Sequence, residues 1–500
     1  MNASLLGMNN DVLSIRKIFW LMVIVEMLSI FAILYGDLIF WAYFFGIILV
    51  PLVLLLIPVE PAIGIVLMLI GTGFDIMGVL FQTSWRMRFN FTLFHIALMM
   101  TFASLLLNHL HRRKTAFYSI NLWPPLIVFL LVLSISLIYT PDFPQGSFMF
   151  LRILVMCLLS LIVLESVDKI WKIRLVIWSM IIIPFGVSIY AIYQLTGEGA
   201  YLSRYVVKMA TAIGLAIIRS SATFENPIRL ACFLMVGIVI AFGMLFFKKQ
   251  NPLIRLALIL SIIITSAGLL STFSRGGWIS TFAAVMVIVA LHKKWSYYWF
   301  FIGFVILMIF ILSIKMPQIW EVVFDRFASI FIPSGDESSS SRISLIKSGI
   351  WMWQDHPLLG VGLRGFPWHY YNYYDPNMPR ILYYVNESHT IQVGILAEEG
   401  LIGFVVATWL FMAVFFHGLR TSLSLENEFF RNVQIACFSL FIGFIVNFTF
   451  ASDIVNNTFW ITVGMIYAIP IIAKNVLKSD NSQSSDNNVS LDNGFSYENH

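Results

Sequence analysis

At the centre of the chain's longest polar segment stands the sequence Trp351-Met352-Trp353-Gln354-Asp355-His356-Pro357-Leu358-Leu359-Gly360-Val361-Gly362. The segment runs from Pro317 to His389 and interrupts an otherwise apolar chain. Loops without secondary structure are rarely longer than about 12–15 residues in compact proteins, and longer ones are usually functional or disordered. This segment is too aromatic for disorder, so we predict that it forms the active-site region.

The remaining sequence is apolar enough to indicate the class of protein. Of its 500 residues, 59% are hydrophobic and 11% are charged, and the mean hydropathy is +0.86. A soluble domain has about 25% charged residues, so we predict an all-α polytopic integral membrane protein. The net charge of +5 comes mostly from Lys and Arg beside the apolar runs. It indicates membrane topology and argues against a nucleic-acid partner.

A membrane-spanning helix needs about 20 mainly apolar residues, and this rule predicts about 12–14 transmembrane helices. Arg16 and Lys17 precede the first apolar run, and no small-residue cleavage site follows it, which favours a span over a removed signal peptide. The candidate spans are 18–35, 38–58, 61–81, 91–110, 120–139, 147–166, 174–196, 227–247, 252–272, 277–292, 297–315, 394–417, 432–451 and 457–474.

Basic residues orient these spans, because Lys and Arg collect on the cytoplasmic side. Clusters such as Lys248-Lys249 and Lys293-Lys294 fall on one side if the spans alternate, with Trp85 to Arg88 as an exception. We therefore predict that both termini are cytoplasmic and that the long loop is extracytoplasmic. The predicted division is 1–315, an N-terminal transmembrane bundle; 316–389, a large extracytoplasmic helical loop; 390–478, C-terminal transmembrane helices; and 479–500, a disordered cytoplasmic tail.

The large loop has two helical patterns. Residues 319–331 have apolar side chains at helical spacing and predict a short helix on the membrane surface. Arg342 to Asp355 predicts a second amphipathic helix with Arg342 in its first turn, and His356-Pro357 ends it. A serine-rich connector separates the two helices.

Two arginines are candidates for binding an anion. Arg275, in Ser274-Arg275-Gly276-Gly277, lies between two apolar runs, where the glycine pair would let the backbone approach a ligand. Arginine binds phosphate in a bidentate manner. A side chain that only reaches the lipid head groups is the alternative. For Arg342 the alternative is a solvated charge, although an anion at the predicted helix N-terminus would explain a cation there.

His389 is the candidate general base. Ser388 is predicted to cap a helix that begins near Thr390, which places His389 at the mouth of a span. An imidazole can take a proton from a hydroxyl near neutral pH, although a packed histidine is the alternative. Glu398–Glu399 would lie about 15 Å deeper at about 1.5 Å per residue. Orientation of His389 would then need Glu387 or an acid from another segment.

Aromatic residues of the loop predict a platform for sugar rings, and a membrane-interface belt explains them equally well. The candidates are Trp368, Tyr370, Tyr371 and Tyr384. Two acids within predicted spans, Glu26 and Asp75, favour a transporter, or are carboxylates hydrogen-bonded to a neighbouring span. The three cysteines lie in apolar runs without metal-ligand spacing, so neither a disulfide framework nor a metal site is predicted.

Three motifs together carry a family resemblance. They are Ser274-Arg275-Gly276 at a span boundary, Arg342 ahead of Trp353 to Gly362, and Ser388-His389-Thr390 before Ala397 to Gly403. With their spacing, they resemble the O-antigen ligase and Wzy-type polysaccharide polymerase superfamily over about residues 215–420. Members often have His-Asn where this chain has His389-Thr390.

The resemblance implies a GT-C-type glycosyltransferase that acts at the outer face of the cell membrane. Its donor would be a polyprenyl-diphosphate-linked glycan, and its acceptor a glycan or a lipid-linked acceptor. Arg275 and Arg342 would bind the diphosphate, and His389 would act as base in an inverting transfer without a metal or other cofactor. A flippase and a chain-length regulator are implied as partners.

Two choices stay open at this stage. A polymerase would join repeat units on the lipid carrier, whereas a ligase would move the finished glycan to a lipid or protein acceptor. We favour the polymerase because an aromatic platform could hold a second glycan. The alternative from another class is a transporter or flippase that uses Glu26 and Asp75.

Overall fold

The computed structural model describes residues 57, 60–75, 79–82, 90–112, 120–195, 207–210, 216–296, 299, 302–303, 306, 337–376, 385, 387–451 and 453–492. Within these ranges the chain forms a bundle of α-helices with two short β-hairpins. Apart from isolated positions, the predicted spans 18–35, 38–58 and 297–315 lie outside the described residues, as do Glu26 and the predicted surface helix 319–331.

The helices of the described chain are α1 (Pro61–Gly73), α2 (Leu93–Arg112), α3 (Trp123–Ser136), α4 (Phe143–Ser166), α5 (Ile170–Leu195), α6 (Pro227–Met244), α7 (Pro252–Ser271), α8 (Arg275–His292), α9 (Glu337–Asp355), α10 (Phe366–His369), α11 (Ile391–Ser424), α12 (Glu428–Phe448) and α13 (Asn457–Asp492). A 3-10 turn, Tyr370–Asn372, follows α10. The antiparallel hairpins pair β1 (Val79–Gln82) with β2 (Asn90–Thr92), and β3 (Val207–Ala210) with β4 (Ala216–Arg219).

Among the described helices, nine are long and apolar enough to cross a membrane. They are α2, α4, α5, α6, α7, α8, α11, α12 and the part of α13 up to Leu477, while α1 and α3 are apolar but shorter. The predicted class, a polytopic helical membrane protein, is confirmed. α6 is the most enclosed of these nine helices, so the core of the bundle lies around it.

The predicted span 61–81 is wrong in its second half, because α1 ends at Gly73. A Cβ on Gly71 would lie 2.5 Å from the backbone nitrogen of Phe94, so this glycine lets the start of α2 approach closely. The hydroxyl of Thr223 donates a hydrogen bond to the carbonyl of Gly73, which the helix end leaves without an intrahelical partner. β1 begins at Val79, within the second half of the predicted span.

The structure also differs from the prediction at the C-terminus. α13 continues to Asp492, into the segment for which the composition predicts disorder from residue 479. Backbone hydrogen bonds from each residue to the fourth before it can extend a helix without any tertiary packing. Composition predicts the lack of a core here, and it does not exclude such a local continuation.

At each end of the bundle, hydrogen bonds connect neighbouring segments. At one end, which we call the Arg275 end, the amide of Ser220 donates to the carbonyl of Ser271 at 3.0 Å, and Asn457 donates to the hydroxyl of Thr72 at 3.0 Å. At the opposite end, the amide of Lys248 donates to the Glu428 carboxylate at 2.7 Å. The segments that carry the candidate site residues therefore have one end of the helices in common.

Candidate active site

Arg275 is the first residue of α8, and its side chain is half-buried. The Ser274 hydroxyl accepts a hydrogen bond from the amide of Gly277 at 3.4 Å and caps the helix. The sequence suggested that the glycine pair lets the backbone approach a ligand. In the structure, both glycines instead face neighbouring parts of the protein. A Cβ on Gly276 would lie 2.8 Å from Cβ of Phe450, and Gly277 packs just as closely against α6. The two glycines therefore position Arg275 by helix packing.

Arg342 lies away from a helix terminus. α9 begins at Glu337, so Arg342 is in the second turn, and the argument for an anion at the helix N-terminus does not apply. The serines ahead of Arg342 predicted a flexible connector because serine is a weak helix former. The next turn of α9 is held by the buried Asp375, which lies 3.0 Å from the Lys347 ammonium and accepts a hydrogen bond from Ser344 at 3.3 Å.

His389 occupies a turn immediately before α11. Its φ is +59°, a region that residues with a Cβ seldom occupy. Ser388 was predicted to cap α11. In the structure it does not, because its hydroxyl donates to the carbonyl of Thr390 at 2.7 Å. Oε1 of Glu387 lies 3.8 Å from Nδ1 of His389. Burial and the positive charge of Arg342 lower the pKa of His389, so the structure brings Arg342, Glu387 and His389 together.

Two of the sequence motifs meet through backbone hydrogen bonds. We call residues 356–365 the glycine loop. The amides of Val361 and Gly362 donate to the carbonyls of Ala397 and Glu398, at 2.9 and 2.8 Å. Two more bonds run in the other direction, from amides just after Gly400 to carbonyls of the glycine loop. The loop and the first part of α11 are therefore one hydrogen-bonded unit.

Glycines with positive φ make this pairing possible. Gly400 breaks the helical conformation inside α11, with φ 65° and ψ −163°. Gly360 has φ +71°, and a Cβ there would lie 2.4 Å from the carbonyl carbon of Glu398. Because glycine adopts positive φ without a steric penalty, these positions allow the loop backbone to contact the helix backbone. The motif glycines are explained by this contact.

Glu398 connects the same helix to the segment beyond the glycine loop. Its Oε1 accepts a hydrogen bond from the amide of Phe366, the first residue of α10, at 3.2 Å. Helix geometry predicts that Glu398 is too far from His389 to orient it, and the carboxylate binds the Phe366 amide instead. Glu399, the next residue, is buried on the side of α11 that faces α3.

The aromatic residues of the loop divide into two groups. Tyr370 is 1% exposed and lies in a small core with Phe366, so its predicted role as a sugar platform is corrected to a packing role. Trp368 and Tyr371 are 54% and 56% exposed and stay available to a ligand. Tyr384 lies outside the described residues. A platform at this end would therefore use Trp368 and Tyr371.

A cluster of charged side chains lies at the N-terminus of α6, and we call it the Arg229 cluster. The Arg229 guanidinium lies 3.3 Å from Glu225, 3.7 Å from Asp453 and 4.0 Å from Asp75. Burial raises the pKa of Asp75 to about 6, while the charge of Arg229 opposes this shift. Asp75, which the sequence offered as an intramembrane carboxylate, is thus a member of an ion-pair cluster in the turn after α1.

Sequence reasoning missed Arg229 although a signal for it existed. Arg229 follows Asn226-Pro227 at the first turn of a predicted span, the same kind of position that singled out Arg275. It also missed Arg152 inside the predicted span 147–166, where an ionisable residue is a functional candidate by default. The charge of Arg152 acts on Asp75, so Arg152 belongs to the surroundings of the cluster.

The fold and the site first define a class. The chain is a multi-pass helical membrane protein whose arginines, histidine and acids collect at one end of the bundle. Within the described ranges, no group of three or more His, Cys, Asp and Glu side chains is arranged to hold a metal ion.

Comparison with known families then shows which family a part of the chain is similar to. Residues 259–408 match the family model Wzy_C, described as O-antigen ligase, and this match over part of the chain supports the predicted resemblance to the O-antigen ligase and Wzy-type superfamily. The match to this family implies a membrane glycosyltransferase-like enzyme. The match includes Arg275, Arg342 and His389. No curated protein matches the chain.

Proposed function

We propose that this protein polymerises polyprenyl-diphosphate-linked oligosaccharide repeat units at the outer face of the cell membrane, as an inverting, metal-independent glycosyltransferase. One observation carries the proposal. Arg342 and His389, a phosphate-binding side chain and a base, act on each other electrostatically within the region that matches the O-antigen ligase family. Arg275, at the start of α8, is the third member of the proposed site.

In the proposed reaction, the acceptor hydroxyl attacks the anomeric carbon of the lipid-linked sugar. The new glycosidic bond forms as the bond from the anomeric carbon to the diphosphate oxygen breaks, and His389 takes the hydroxyl proton. Arg275 and Arg342 stabilise the charge on the departing diphosphate. Such preorganised stabilisation is often the largest catalytic contribution, and one donor is typically worth about 10²–10³ in rate.

A low pKa suits His389 for this role. A base must be unprotonated before it accepts a proton. Because burial and Arg342 lower the pKa of His389, the imidazole is neutral over most of the physiological pH range. Arg342 would thus have two effects, since it keeps the base neutral and it compensates the charge of the leaving group.

Reconstitution of the purified protein tests the proposal. The full chain in detergent would be mixed with an undecaprenyl-diphosphate-linked repeat unit, isolated from a strain in which the gene for this protein is deleted. EDTA would be present to remove divalent metal ions. Glycan elongation is expected for the wild type and not for Arg275→Ala, Arg342→Ala or His389→Ala. A flippase or transporter would give no elongation in detergent, because transport requires sealed vesicles. Full activity of all three variants would refute the assignment.

Ligation is the second candidate, and the match to a family described as O-antigen ligase favours it. The two reactions differ in what a deletion strain accumulates. Single lipid-linked repeats would indicate a polymerase, whereas long unattached polymer would indicate a ligase. In favour of the polymerase, the exposed Trp368 and Tyr371 offer surface for a second glycan beside the site.

The proposed topology has both termini in the cytoplasm. Lys248 lies at the bundle end opposite Arg275, where its amide donates to Glu428, and Lys293 follows α8 at the same end. Basic residues at this end agree with a cytoplasmic location, by the positive-inside rule. The Arg275 end would then face outward, towards the donor and the acceptor. Reporter fusions at both termini would test this orientation.

A further inference from the structure

Glu387 is the acidic group in contact with His389. Its Oε1 lies 3.8 Å from Nδ1 of the imidazole, within the range of an ion pair. Both residues belong to the short segment before α11, and His389 has a positive φ of 59°. Residues with a Cβ persist in such a conformation only where the surrounding structure imposes it, and such strained positions concentrate at functional sites.

Charged groups from several elements surround this pair. Arg229 of α6, Asp453 of the turn between α12 and α13, Arg364 of the glycine loop and Glu398 of α11 all act on Glu387. On the imidazole itself, the charge of Arg342 in α9 acts. Glu387, whose side chain is 42% exposed, therefore lies among charges that several elements contribute.

The Arg229 cluster provides a fixed neighbour for Glu387. Nε of Arg229 lies 3.7 Å from Asp453, and its Nη1 lies 3.3 Å from Glu225. Because these partners come from different parts of the chain, the guanidinium is restrained in its position. The charge of this restrained guanidinium acts on Glu387 and favours its ionised carboxylate.

We propose that Glu387 is the positioning residue of His389: its carboxylate accepts the Nδ1–H of the imidazole, and Nε2 then faces the acceptor hydroxyl. This inference rests on the proposed function, in which His389 is the base. At 3.8 Å the contact is longer than a hydrogen bond, which needs less than about 3.2 Å for N–H···O. Catalytic hydrogen bonds are often long in structures without substrate and shorten when it binds.

The charge of Glu387 gives the proposal a distinctive pH dependence. Burial and the charge of Asp453 raise the pKa of Glu387 to about 7. Burial and Arg342 lower the pKa of His389. The productive pair, an ionised Glu387 and a neutral His389, therefore forms as the pH rises through about 7. In the variant Glu387→Gln, which cannot ionise, only the titration of His389 at lower pH should remain.

The experiment measures kcat and KM between about pH 5 and pH 9. It uses the full chain in detergent with the undecaprenyl-diphosphate-linked repeat unit from the deletion strain. For Glu387→Gln we expect kcat to fall by about 10- to 100-fold, KM to change little, and the rise near pH 7 to disappear. Glu387→Asp should recover part of kcat. Glu426→Gln, an exposed acid between α11 and α12, is the matched control with wild-type behaviour expected.

The outcomes separate this inference from the proposed function. If His389→Ala retains wild-type activity, the proposed function itself fails. If His389→Ala is inactive while Glu387→Gln keeps the wild-type kcat and pH profile, only the positioning role fails.

A second variant tests the inference if Glu387→Gln does not fold. Asp453→Asn removes a charge that raises the pKa of Glu387, so the rise in kcat should move to lower pH. An unmoved profile in Asp453→Asn would overturn the inference.

Discussion

The amide of Phe366 donates a hydrogen bond to the carboxylate of Glu398, with 3.2 Å between N and Oε1. This bond joins the first residue of α10 to the kinked part of α11. It supplements the backbone pairing of the glycine loop with Ala397 and Glu398. The polar segment between the spans is thereby attached to the helix that begins beside His389.

Removal of this acceptor should destabilise the attachment. In Glu398→Ala the Phe366 amide loses its partner, which costs about 1–3 kcal/mol for a buried donor left unpaired. We expect a lower thermal unfolding temperature of the purified protein in detergent, measured by intrinsic fluorescence. Glu398→Gln keeps an acceptor oxygen and should lose clearly less stability. Equal stability of Glu398→Ala and the wild type would contradict the assigned role of this bond.

Substitution of the kink glycine should be more damaging. In Gly400→Ala the Cβ would lie 2.4 Å from backbone atoms of Leu358, and φ is +65°. With ψ at −163°, this backbone conformation is essentially restricted to glycine and costs about 1–3 kcal/mol for a residue with a Cβ, and the clash adds to it. We expect little folded protein in membranes, measured by fluorescence-detected size exclusion.

Gly303→Ala is the matched control for this substitution. A Cβ on Gly303 meets no heavy atom within 4 Å, so this variant should accumulate like the wild type. Comparable loss of both variants would show that the position of the glycine does not matter.

The pKa of His389 should rise when the charge of Arg342 is removed. Arg342 disfavours the imidazolium, so Arg342→Gln should shift the titration of His389 to higher pH. Carbethoxylation by diethyl pyrocarbonate requires the neutral imidazole. Its pH dependence at the His389 peptide, followed by mass spectrometry, measures the shift without an activity assay.

Arg255→Gln is the control for the charge itself. Arg255 is exposed near the start of α7, so its loss should leave the His389 titration unchanged. An equal titration midpoint in Arg342→Gln and the wild type would contradict the proximity of Arg342 to His389.

Asp75→Asn should stabilise the protein at neutral pH. The folded-state pKa of Asp75 is about 6, above its ordinary value of 3.8, so the folded state disfavours the ionised carboxylate. The wild type therefore loses stability as pH rises through this interval. Arg229 keeps Glu225 and Asp453 as partners in the variant. We expect a higher unfolding temperature at about pH 8 and a smaller gain at about pH 5.

The same variant distinguishes the transporter hypothesis. If Asp75 is only a member of the Arg229 cluster, Asp75→Asn retains glycan elongation. Glu225→Gln, which removes a half-exposed partner of the same arginine, should not give the stability gain. A destabilised Asp75→Asn at neutral pH would contradict the assigned effect of burial.

Local signals in the sequence predicted much of the fold. Hydropathy located the described spans to within a few residues at most ends, because an apolar run of sufficient length has few other stable environments. The error at 61–81 arises from tertiary contacts and not from a local signal. There the apolar run continues, and the approach of α2 to Gly71 and the bond from Thr223 end the helix, contacts that no local window contains.

The candidate site was predicted in part. Arg275, Arg342 and His389 stand out because polar residues in an apolar chain are few, and their motifs carry a family pattern. Tyr370 was misjudged, since one aromatic residue in a row of several gives no local sign of which ring becomes buried. Arg229 was missed although its position resembles that of Arg275, and its pairing with Asp453 could not be predicted because it joins residues more than two hundred positions apart.

By itself, the sequence determined the membrane class, most of the spans and the chemical types available for catalysis, because burial in lipid and the reactivity of side chains depend on residue type. Only the tertiary structure decided which of these groups act together. Glu387 contacts His389, Arg342 acts on its charge, and the glycine loop is attached to α11. Such relations arise when helices and loops pack, because electrostatic and hydrogen-bond energies depend on distances that the order of residues does not contain.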